Sequence, residues 1–282
     1  MIQDRLLIRS HDLLTQELPP LVWDVEPLIS RGDRVVVFGE FGSFKSWILL
    51  HLAWHLGAGV RWLETFTIRE QRRVLYVDEE MNERTLRRRG KRLALGAGVE
   101  GCPPVAFLSR AGVRFDAYGA GQLLSYLERH KFQPDVVVVE ALRRVLIGDE
   151  NEAKDMAQFW RNLEPLSRGG TTVVISHHMT KPPQQGKRSV RYRASGSTDI
   201  LAGSDASFAV ERVAPDTARI TGIKARDDVE LRPFLVKLDD GGDRQGPVWL
   251  TPVRTTPPIT LGPGEVEDVL TRPVSDSLPE AS

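Results

Sequence analysis

The sequence predicts an α/β fold with a mainly parallel sheet flanked by helices and an antiparallel extension near the carboxyl terminus. Four short runs rich in β-branched residues, at 35–38, 73–77, 135–139 and 171–175, are almost continuously hydrophobic, which is typical of parallel strands covered on both faces. Segments of helical length separate these runs. After residue 205 three strand-like runs, SFAVERV, ARITGIKAR and FLVKL, follow one another without helices, and this change predicts the antiparallel extension.

The order of elements along the chain predicts one main domain. Helices are expected at 46–56, 82–95, 120–130 and 153–167. Residues 1–30 are expected to form a segment that packs on the core, because Pro19 and Pro20 prevent a regular helix while Trp23 and Leu28 offer apolar anchors. A separate functional module is the alternative for this segment. The domain then spans 31–251, and 252–282 is expected to be a flexible tail, since it is rich in proline and serine and lacks periodicity.

The composition limits the classes of protein to which the chain can belong. With 282 residues and 41% hydrophobic content, the chain can bury a substantial core, so disorder is not its main state. Lys+Arg and Asp+Glu both number 38, which excludes a polybasic protein and requires any nucleic-acid contact to use local clusters of cations. The single cysteine, Cys102, excludes an internal disulfide framework. Apolar stretches are shorter than the ~20 residues of a spanning helix, so we expect a cytoplasmic protein without membrane contact.

The most informative segment is VVVFGEFGSFKSWILLHLAW, which combines a buried strand, a turn with two glycines and the start of a helix. Glycines in such a turn let backbone N–H groups converge on an anion at the helix amino terminus, which is how a phosphate-binding loop works. Lys45 would then reach the β and γ phosphates of a nucleotide, and the Ser46 hydroxyl would bind Mg²⁺. An ordinary strand-to-helix turn with an incidental lysine is the alternative. The expected nucleotide contacts are Gly39, Glu40, Phe41, Gly42, Ser43, Phe44, Lys45, Ser46 and Trp47.

The loop departs from the usual GxxxxGK[ST] pattern at one position. Gly39 occupies the first position, but Phe44 stands where the second glycine belongs. If that position requires a positive φ, phenylalanine is strained by roughly 1 kcal/mol or more. The substitution therefore either distorts the loop or means that the position is less demanding than the pattern implies.

Carboxylates follow two other predicted strands, as the hydrolysis of a nucleotide requires. VLYVDEEM ends in Asp78, Glu79 and Glu80, and PDVVVVEAL ends in Glu140. One carboxylate is needed to hold the Mg²⁺ shell and another to orient or deprotonate the attacking water. A helix cap or a solvated loop is the alternative for either group taken alone. We expect Ser46, Glu140 and Asp78 to form the metal site.

A fourth strand ends in VVISHHMTK and brings Ser176, His177 and His178 to the same edge of the predicted sheet. A polar group there could contact the γ phosphate and pass its loss to the following loop, so both histidines are candidate catalytic residues. A metal site built on the two histidines is the alternative, although no nearby acidic or cysteine ligand completes the set.

Taken together, these motifs resemble the RecA-type ATPases, and within them the RepA and DnaB branch of hexameric replicative helicases. The resemblance covers about Glu17 to Leu238 and includes ELPPLVWDVEPLI, GEFGSFKS, VLYVDEEMN, VVISHHMTK and RASGSTDILAGSD. It implies a RecA-like P-loop ATPase core with ATP and Mg²⁺ as cofactors. It also implies that Glu80 polarises the attacking water and that Glu140 stands where the family usually has the aspartate of the metal shell. Glutamate is one methylene longer, so its carboxylate must sit differently or act through water, at a cost in rate.

The resemblance further implies a ring, expected to be a hexamer, in which a basic residue from the neighbouring subunit completes each ATP site. In GIKARDD, Lys224 and Arg226 match the Lys-x-Arg pair that DnaB-like proteins present to the γ phosphate of their neighbour. The alternative is that these alternate basic residues form the solvent face of a strand.

The segment MTKPPQQGKRSVRYRASGS is long and polar and carries five of the cations available for nucleic acid. Loops of this length inside a compact core are usually functional or mobile. In RecA-type rings the corresponding loop faces the central channel, so the resemblance implies that single-stranded DNA binds here. A solvated loop without a ligand is the alternative. The candidate contacts are Lys181, Lys187, Arg188, Arg191 and Arg193.

These motifs leave three hypotheses for the function. The first is an ATP-hydrolysing ring that moves on single-stranded DNA, as a replicative helicase or translocase. The second is a nucleotide-dependent switch with little turnover, which the departures at Phe44 and Glu140 favour. The third is a loader or accessory protein of a helicase.

Overall fold

The computed structural model describes residues 9–17, 20–167, 169–179, 193–194, 196–225, 231–243 and 245–253. Its main feature is a nine-stranded sheet in the order β11-β10-β9-β8-β3-β7-β6-β4-β5, and a separate two-stranded hairpin joins β1 to β2. The six strands from β8 to β5 in that order pair in parallel, and β8 to β11 pair antiparallel. The predicted α/β class, with a mainly parallel sheet and an antiparallel extension, is therefore confirmed.

Strands and helices have the following bounds. The strands are β1 (Trp23–Val25), β2 (Ile29–Ser30), β3 (Arg34–Gly39), β4 (Val74–Asp78), β5 (Val105–Ser109), β6 (Val136–Glu140), β7 (Thr172–His178), β8 (Ala206–Ala214), β9 (Thr217–Ala225), β10 (Phe234–Asp239) and β11 (Trp249–Val253). The helices are α1 (Ser10–Thr15), α2 (Lys45–Ala58), α3 (Glu83–Gly96), α4 (Gly119–Arg129), α5 (Leu142–Val145), α6 (Ala153–Ser167) and α7 (Asp199–Ala202).

The parallel strands separate two hydrophobic cores, because successive side chains of a strand point to opposite faces. In β3, Val35 and Val37 belong to one core, while Val36 and Phe38 belong to the other. The first core is completed by α2 and α3, and the second by α4 and α6. Both faces of the parallel region are thus covered, which explains the continuous hydrophobic runs of its strands.

Sequence patterns missed β5 (Val105–Ser109), the edge strand that pairs with β4. All five of its residues are only partly buried, so the run lacks the valine-rich core pattern of the inner strands. At the amino-terminal end, the chain packs through the β1–β2 hairpin, since Val25, Leu28 and Ile29 join the first core. By contrast, α1 buries none of its residues.

The carboxyl ends of β3, β4, β6 and β7 meet at one edge of the sheet. Register places Gly39 beside His178 and Asp78 beside Glu140, so the polar residues that follow these strands are neighbours. Parallel sheets bind ligands at this edge because loops and helix amino termini converge there. In the described part of the chain, no helix is both long and apolar enough to cross a membrane.

Candidate functional site

The phosphate-binding loop connects β3 to α2, and its glycines have specific geometric roles. A Cβ on Gly39 would lie 2.3 Å from the carbonyl oxygen of Val210 and 2.7 Å from Ser43 Oγ, so no larger residue fits. Gly42 has a φ of 76°, which residues with a side chain rarely adopt. Together they shape a turn at the amino terminus of α2, where backbone N–H groups favour an anion.

Phe44 adopts the conformation that the motif normally reserves for glycine. Its φ is 70° and its ψ is 10°, in the left-handed region, at the amino-terminal cap of α2. The position is therefore as demanding as the pattern implies, and the side chain costs about 1 kcal/mol or more of backbone strain. The ring of Phe44 is partly buried against the first core, and the Arg212 guanidinium carbon lies 4.8 Å from its centroid. Contacts of the side chain thus offset the backbone cost.

Lys45 begins α2 and is buried beneath the loop. Its Nζ donates hydrogen bonds to the carbonyl oxygens of Gly39 at 2.7 Å and Glu40 at 2.9 Å. Burial lowers the pKa of the ammonium group, while the carboxylates of Glu140 and Glu80 oppose this effect. The cation is therefore fixed at the base of the loop, facing the acidic edge of the sheet.

Glu140 is the buried carboxylate nearest to the loop. Its Oε1 accepts a hydrogen bond from Ser46 Oγ at 2.6 Å, and its Oε2 accepts one from the Tyr76 hydroxyl at 2.5 Å. Burial raises the pKa of Glu140, although both hydroxyl donors and the Lys45 charge act in the other direction. The contact between Ser46 and Glu140 brings together two of the three residues that the sequence assigned to the metal.

Asp78, the third predicted metal ligand, is buried and shapes the turn after β4. Its Oδ1 accepts hydrogen bonds from the backbone N–H groups of Glu80 at 2.8 Å and Met81 at 2.7 Å. Its Oδ2 is buried without a hydrogen-bond partner among the described residues. Burial, and then the charge of Glu140, raise the pKa of Asp78 to about 7. Asp78 lies behind the site and does not line its cavity.

Glu79 and Glu80 have different surroundings although they are adjacent. The carboxylate of Glu79 accepts hydrogen bonds from the backbone N–H groups of Gly112 at 3.2 Å and Val113 at 2.9 Å, which fixes the loop after β5. Glu80 instead lines the cavity beside Lys45 and Ser46. This difference separates a structural carboxylate from a candidate general base.

Basic side chains surround the carboxylate of Glu80. Its Oε1 lies 3.8 Å from His178 Nε2 and 3.6 Å from Arg144 Nε. His178 lowers the pKa of Glu80 most, Arg144 and Lys45 add to this, and burial opposes it. Glu80 is therefore held in the ionised form that a base requires.

The structure separates the two histidines that the sequence paired. Strand alternation directs Ser176 and His178 to the cavity, which both of them line. His177 is fully buried and does not line the cavity. Its predicted catalytic role is therefore not matched by its position, because adjacent strand residues cannot face the same side.

These residues enclose a cavity of about 270 Å³ at the carboxyl edge of the sheet. The lining residues are Phe41, Gly42, Ser43, Phe44, Lys45, Ser46, Trp47, Glu80, Arg89, Glu140, Ser176, His178 and Arg212. Of the loop residues predicted from the sequence, Gly39 and Glu40 lie outside the lining. Two arginines were missed. No motif surrounds Arg212 in the sequence, and Arg89 lies in a helix whose several basic residues point in different directions.

Each of the two missed arginines stacks on an aromatic ring at the cavity. The guanidinium carbon of Arg89 lies 5.0 Å from the Trp47 centroid, and that of Arg212 lies 4.8 Å from the Phe44 centroid. Phe41, at the tip of the loop, is 97% exposed. The mouth of the cavity therefore combines flat apolar surfaces with cations.

Two of the cations predicted to contact a neighbouring subunit or DNA, Lys224 and Arg193, lie in the described residues. Both form contacts within the chain itself. Lys224 Nζ donates to the carbonyl oxygens of Leu201, Ala202 and Ser204 at 2.8, 3.0 and 2.5 Å, so it stabilises the end of α7. Arg193 is buried, and its guanidinium forms ion pairs with Glu40 and Glu211. Arg193 was predicted to contact DNA, and its buried, paired position within the chain does not match that role. Lys181, Lys187, Arg188, Arg191 and Arg226 lie outside the described residues.

The donor chemistry of the site fits Mg²⁺ with a polyphosphate. Ser46 and Glu140 offer the oxygen ligands that this ion prefers, and the turn at Gly42 and Phe44 forms a cradle for phosphate. In the described part of the chain, no group of three or more His, Cys, Asp or Glu side chains could hold a metal by itself. Mg²⁺ does not need such a group, because it usually keeps several waters and binds through one or two protein ligands together with phosphate oxygens.

Comparisons with known proteins agree with this geometry. The AAA domain family matches residues 3–184, and no curated protein matches the chain. A KaiC-like protein from the hyperthermophilic archaeon Pyrococcus horikoshii shares the fold with a TM-score of 0.53 and 12% identity, over 83% of this chain and 99% of that one. The RadB recombinase gives a TM-score of 0.49 and 14% identity, over 79% and 91% of the two chains. Because the family match spans more than half of its length, the chain belongs to the AAA domain family.

Proposed function

We propose that the protein hydrolyses Mg²⁺-ATP as a ring-forming motor that acts on single-stranded DNA in the cytoplasm. The observation that carries the ATPase part is the contact of 2.6 Å between Ser46 Oγ and Glu140 Oε1, beside Lys45 and across the cavity from Glu80. A hydroxyl, a lysine and two carboxylates in this arrangement serve phosphoryl transfer. The finer assignment to the RepA and DnaB branch of helicases belongs to the same proposal.

The residues of the site divide the chemical work. When bound at Ser46 and Glu140, Mg²⁺ supplies positive charge to the phosphates of the nucleotide. The turn at Gly42 and Phe44 holds the phosphates through backbone N–H groups. Lys45 exchanges its two loop carbonyls for phosphate oxygens, so that its charge faces the transferred group.

Glu80 is the general base of the proposed reaction. Its pKa is held below the ordinary value by His178, Arg144 and Lys45, so it is ionised and can take a proton from the attacking water. His178 and Ser176 lie on the same face of β7, where they can contact the γ phosphate. Loss of that phosphate would then be sensed at the end of β7.

The ring and the DNA contact rest on the family resemblance. Lys224 and Arg226 match the pair that completes a neighbour's site, and Arg226 would act on the transition-state charge of the next subunit. In the isolated chain, Lys224 donates to carbonyl oxygens at the end of α7. The cations Lys181, Lys187, Arg188 and Arg191 are proposed to contact the DNA backbone, while Arg193 anchors the end of their segment.

Native mass measurement with Mg²⁺ and a slowly hydrolysed ATP analogue, with and without single-stranded DNA, tests the assembly. We expect a hexamer whose ATPase rate rises with single-stranded DNA at low salt. Lys45→Ala is expected to lower the ATPase rate by about 100-fold or more, because the charge at the transferred phosphate is lost. Lys154→Ala, on an exposed surface of α6, is the matched control with an unchanged rate. A monomer whose rate is indifferent to Arg226→Ala and to DNA would contradict the ring.

A second candidate is an ATP-dependent switch or helicase accessory protein with little turnover. Two observations favour it, namely the glutamate at position 140 and the left-handed conformation of Phe44. Glu140 belongs to the proposed metal site and Phe44 to the phosphate-binding loop, and fast hydrolysis requires accurate positions for both. Affinity and turnover measured on one preparation distinguish the two candidates, since a switch binds ATP tightly and turns it over negligibly.

A further inference from the structure

The phosphate-binding loop holds Phe44 in a backbone conformation that phenylalanine disfavours. Its φ of 70° lies in the left-handed region, where a Cβ is crowded by the neighbouring carbonyl. Residue 44 adopts it at the amino-terminal cap of α2, where its carbonyl oxygen accepts a backbone hydrogen bond from Ile48 at 3.0 Å, although cap residues are usually extended. Some other contact must therefore favour this conformation over the extended alternative.

Arg212 supplies such a contact from outside the loop. Its guanidinium carbon lies 4.8 Å from the centroid of the Phe44 ring, within the range of a cation–π interaction. The same guanidinium donates through Nε to the carbonyl oxygen of Ala214 at 3.2 Å and through Nη2 to that of Pro215. Its position is thus fixed by the turn after β8, and its flat face is left for the ring.

The strand that carries Arg212 is tied to the start of the loop. In the parallel pairing of β3 with β8, Val210 is the partner of Gly39. The start of the loop and the strand that carries Arg212 are therefore neighbours in the sheet, which brings the ring and the guanidinium together. The contact can hold the loop before any nucleotide arrives.

We infer that Arg212 is a positioning residue that keeps the phosphate-binding loop in its anion-binding shape by holding the Phe44 ring. This inference rests on the proposed function, since it concerns the affinity of the same site for ATP. In the chain as it stands, a phenylalanine and an arginine from another strand together replace the glycine of the usual motif. Arg212 acts through Phe44, and its effect on nucleotide binding depends on the ring being present.

Calorimetric titration of the full chain with a slowly hydrolysed Mg²⁺-ATP analogue and with inorganic tripolyphosphate tests this dependence. Arg212→Ala is expected to lower the affinity for both ligands by the same factor, about two- to fivefold. The factor is the same because only the phosphates, which both ligands share, contact the loop. Phe44→Ala, which keeps a Cβ at positive φ and removes the ring, is expected to match that loss. Phe44→Gly removes both the ring and the strain, so its affinity exceeds that of Phe44→Ala.

The decisive comparison is Arg212→Ala in the Phe44→Gly background, where we expect no further loss of affinity. Two arginines serve as controls. Arg89→Ala, which removes the contact with Trp47, is expected to have the same effect in both backgrounds. Arg87→Ala, whose side chain is 79% exposed on α3, is expected to have none.

The outcomes separate this inference from the proposed function. An equal loss from Arg212→Ala in both backgrounds, or a loss confined to the ATP analogue, would mean that Arg212 contacts the nucleotide directly and would overturn the positioning role alone. A wild-type chain that binds neither ligand would overturn the proposed function as well. The same double-mutant cycle for the free energy of unfolding without ligand is expected to show coupling between Arg212 and Phe44, and its absence would contradict the holding contact.

Discussion

Buried carboxylates lie at both edges of the sheet, Asp24 at one and the pair Asp78 and Glu140 at the other, and their charges are balanced in different ways. At the amino-terminal edge, Asp24 accepts a hydrogen bond of 2.5 Å from Thr172 and lies 2.9 Å from Arg72 Nε and 3.8 Å from Arg31 Nε. At the carboxyl-terminal edge, Asp78 and Glu140 are neighbours on β4 and β6, and the charge of Lys45 acts on Glu140 without a direct ion pair among the described residues.

The pKa shifts of the two groups reflect this difference. Burial raises the pKa of Asp24, but Thr172, Arg72 and Arg31 lower it. Burial also raises the pKa of Asp78, and there the charge of Glu140 raises it further, to about 7. Asp24 thus has its cations within the chain, whereas of Asp78 and Glu140 only Glu140 lines the cavity, where a cation that accompanies a nucleotide could reach it.

Changing Glu80 gives the largest expected effect at the carboxyl edge. Glu80→Gln is expected to lower kcat by about 100-fold or more while ATP still binds, because the base is lost but the loop is intact. Glu79→Gln is the matched control, since Glu79 holds the backbone of Gly112 and Val113 and does not line the cavity. Steady-state kinetics on both variants measure this difference. Equal losses in the two variants would contradict the assignment of the base.

Changing Asp24 tests the amino-terminal edge. Asp24→Asn is expected to lower the free energy of unfolding by about 3 kcal/mol, because it removes the nearer carboxylate partner of the buried Arg72 and leaves only the contact of 3.5 Å with Glu70. The affinity of the folded protein for ATP is expected to stay the same, since Asp24 lies at the far edge of the sheet. Denaturant titration measures the free energy of unfolding, and calorimetry measures the affinity for ATP. A variant of normal stability with weakened ATP binding would contradict a purely structural role of Asp24.

Changing Asp78 tests whether the carboxyl edge lacks a cation of its own. A carboxyl group with a folded pKa of about 7 and an unfolded value of 3.8 binds more protons in the folded state between those values. The free energy of unfolding without ligand therefore falls as the pH rises through this window. Asp78→Asn is expected to make the fall smaller, which denaturant titrations at about pH 5 and about pH 8 can measure. An unchanged slope would contradict the raised pKa.

The smallest expected effect concerns the ion pairs of the buried Arg193. Glu40 lies in the loop and its carbonyl holds Lys45, whereas Glu211 lies on β8. Glu40→Gln is expected to raise KM for ATP by a few fold, about the effect of one weakened charged hydrogen bond. Glu211 pairs with the same arginine, and Glu211→Gln is the control that is expected to leave KM nearly unchanged. Equal changes of KM in both variants would contradict a specific role of the Arg193–Glu40 ion pair in stabilising the loop.

The sequence was sufficient for most of the fold because the inner parallel strands are buried on both faces. It also located the loop, Glu80 and Glu140 at the carboxyl edge of the sheet, since each follows a recognisable buried strand. It did not reveal that β5 forms the edge, because that strand is only half-buried. It could not separate His177 from His178, because the strand bounds decide which one faces the cavity.

Tertiary contacts between distant segments account for the remaining differences. The contact between Arg212 and Phe44 joins residues far apart in the chain, and no local pattern encodes it. The same holds for Arg193, which reads as one more cation of a basic segment but is buried between Glu40 and Glu211. Propensity and spacing describe neighbours along the chain, so these pairings require the folded sheet.

The most direct test of the account is the ATP turnover of the purified chain as a function of Mg²⁺ concentration, measured for the wild type beside Glu80→Gln. We expect turnover that requires Mg²⁺ in the wild type and is lost in the variant, because Ser46 and Glu140 supply oxygen ligands for the ion and Glu80 supplies the base. Turnover that is independent of Mg²⁺, or equal in the two proteins, would contradict the account.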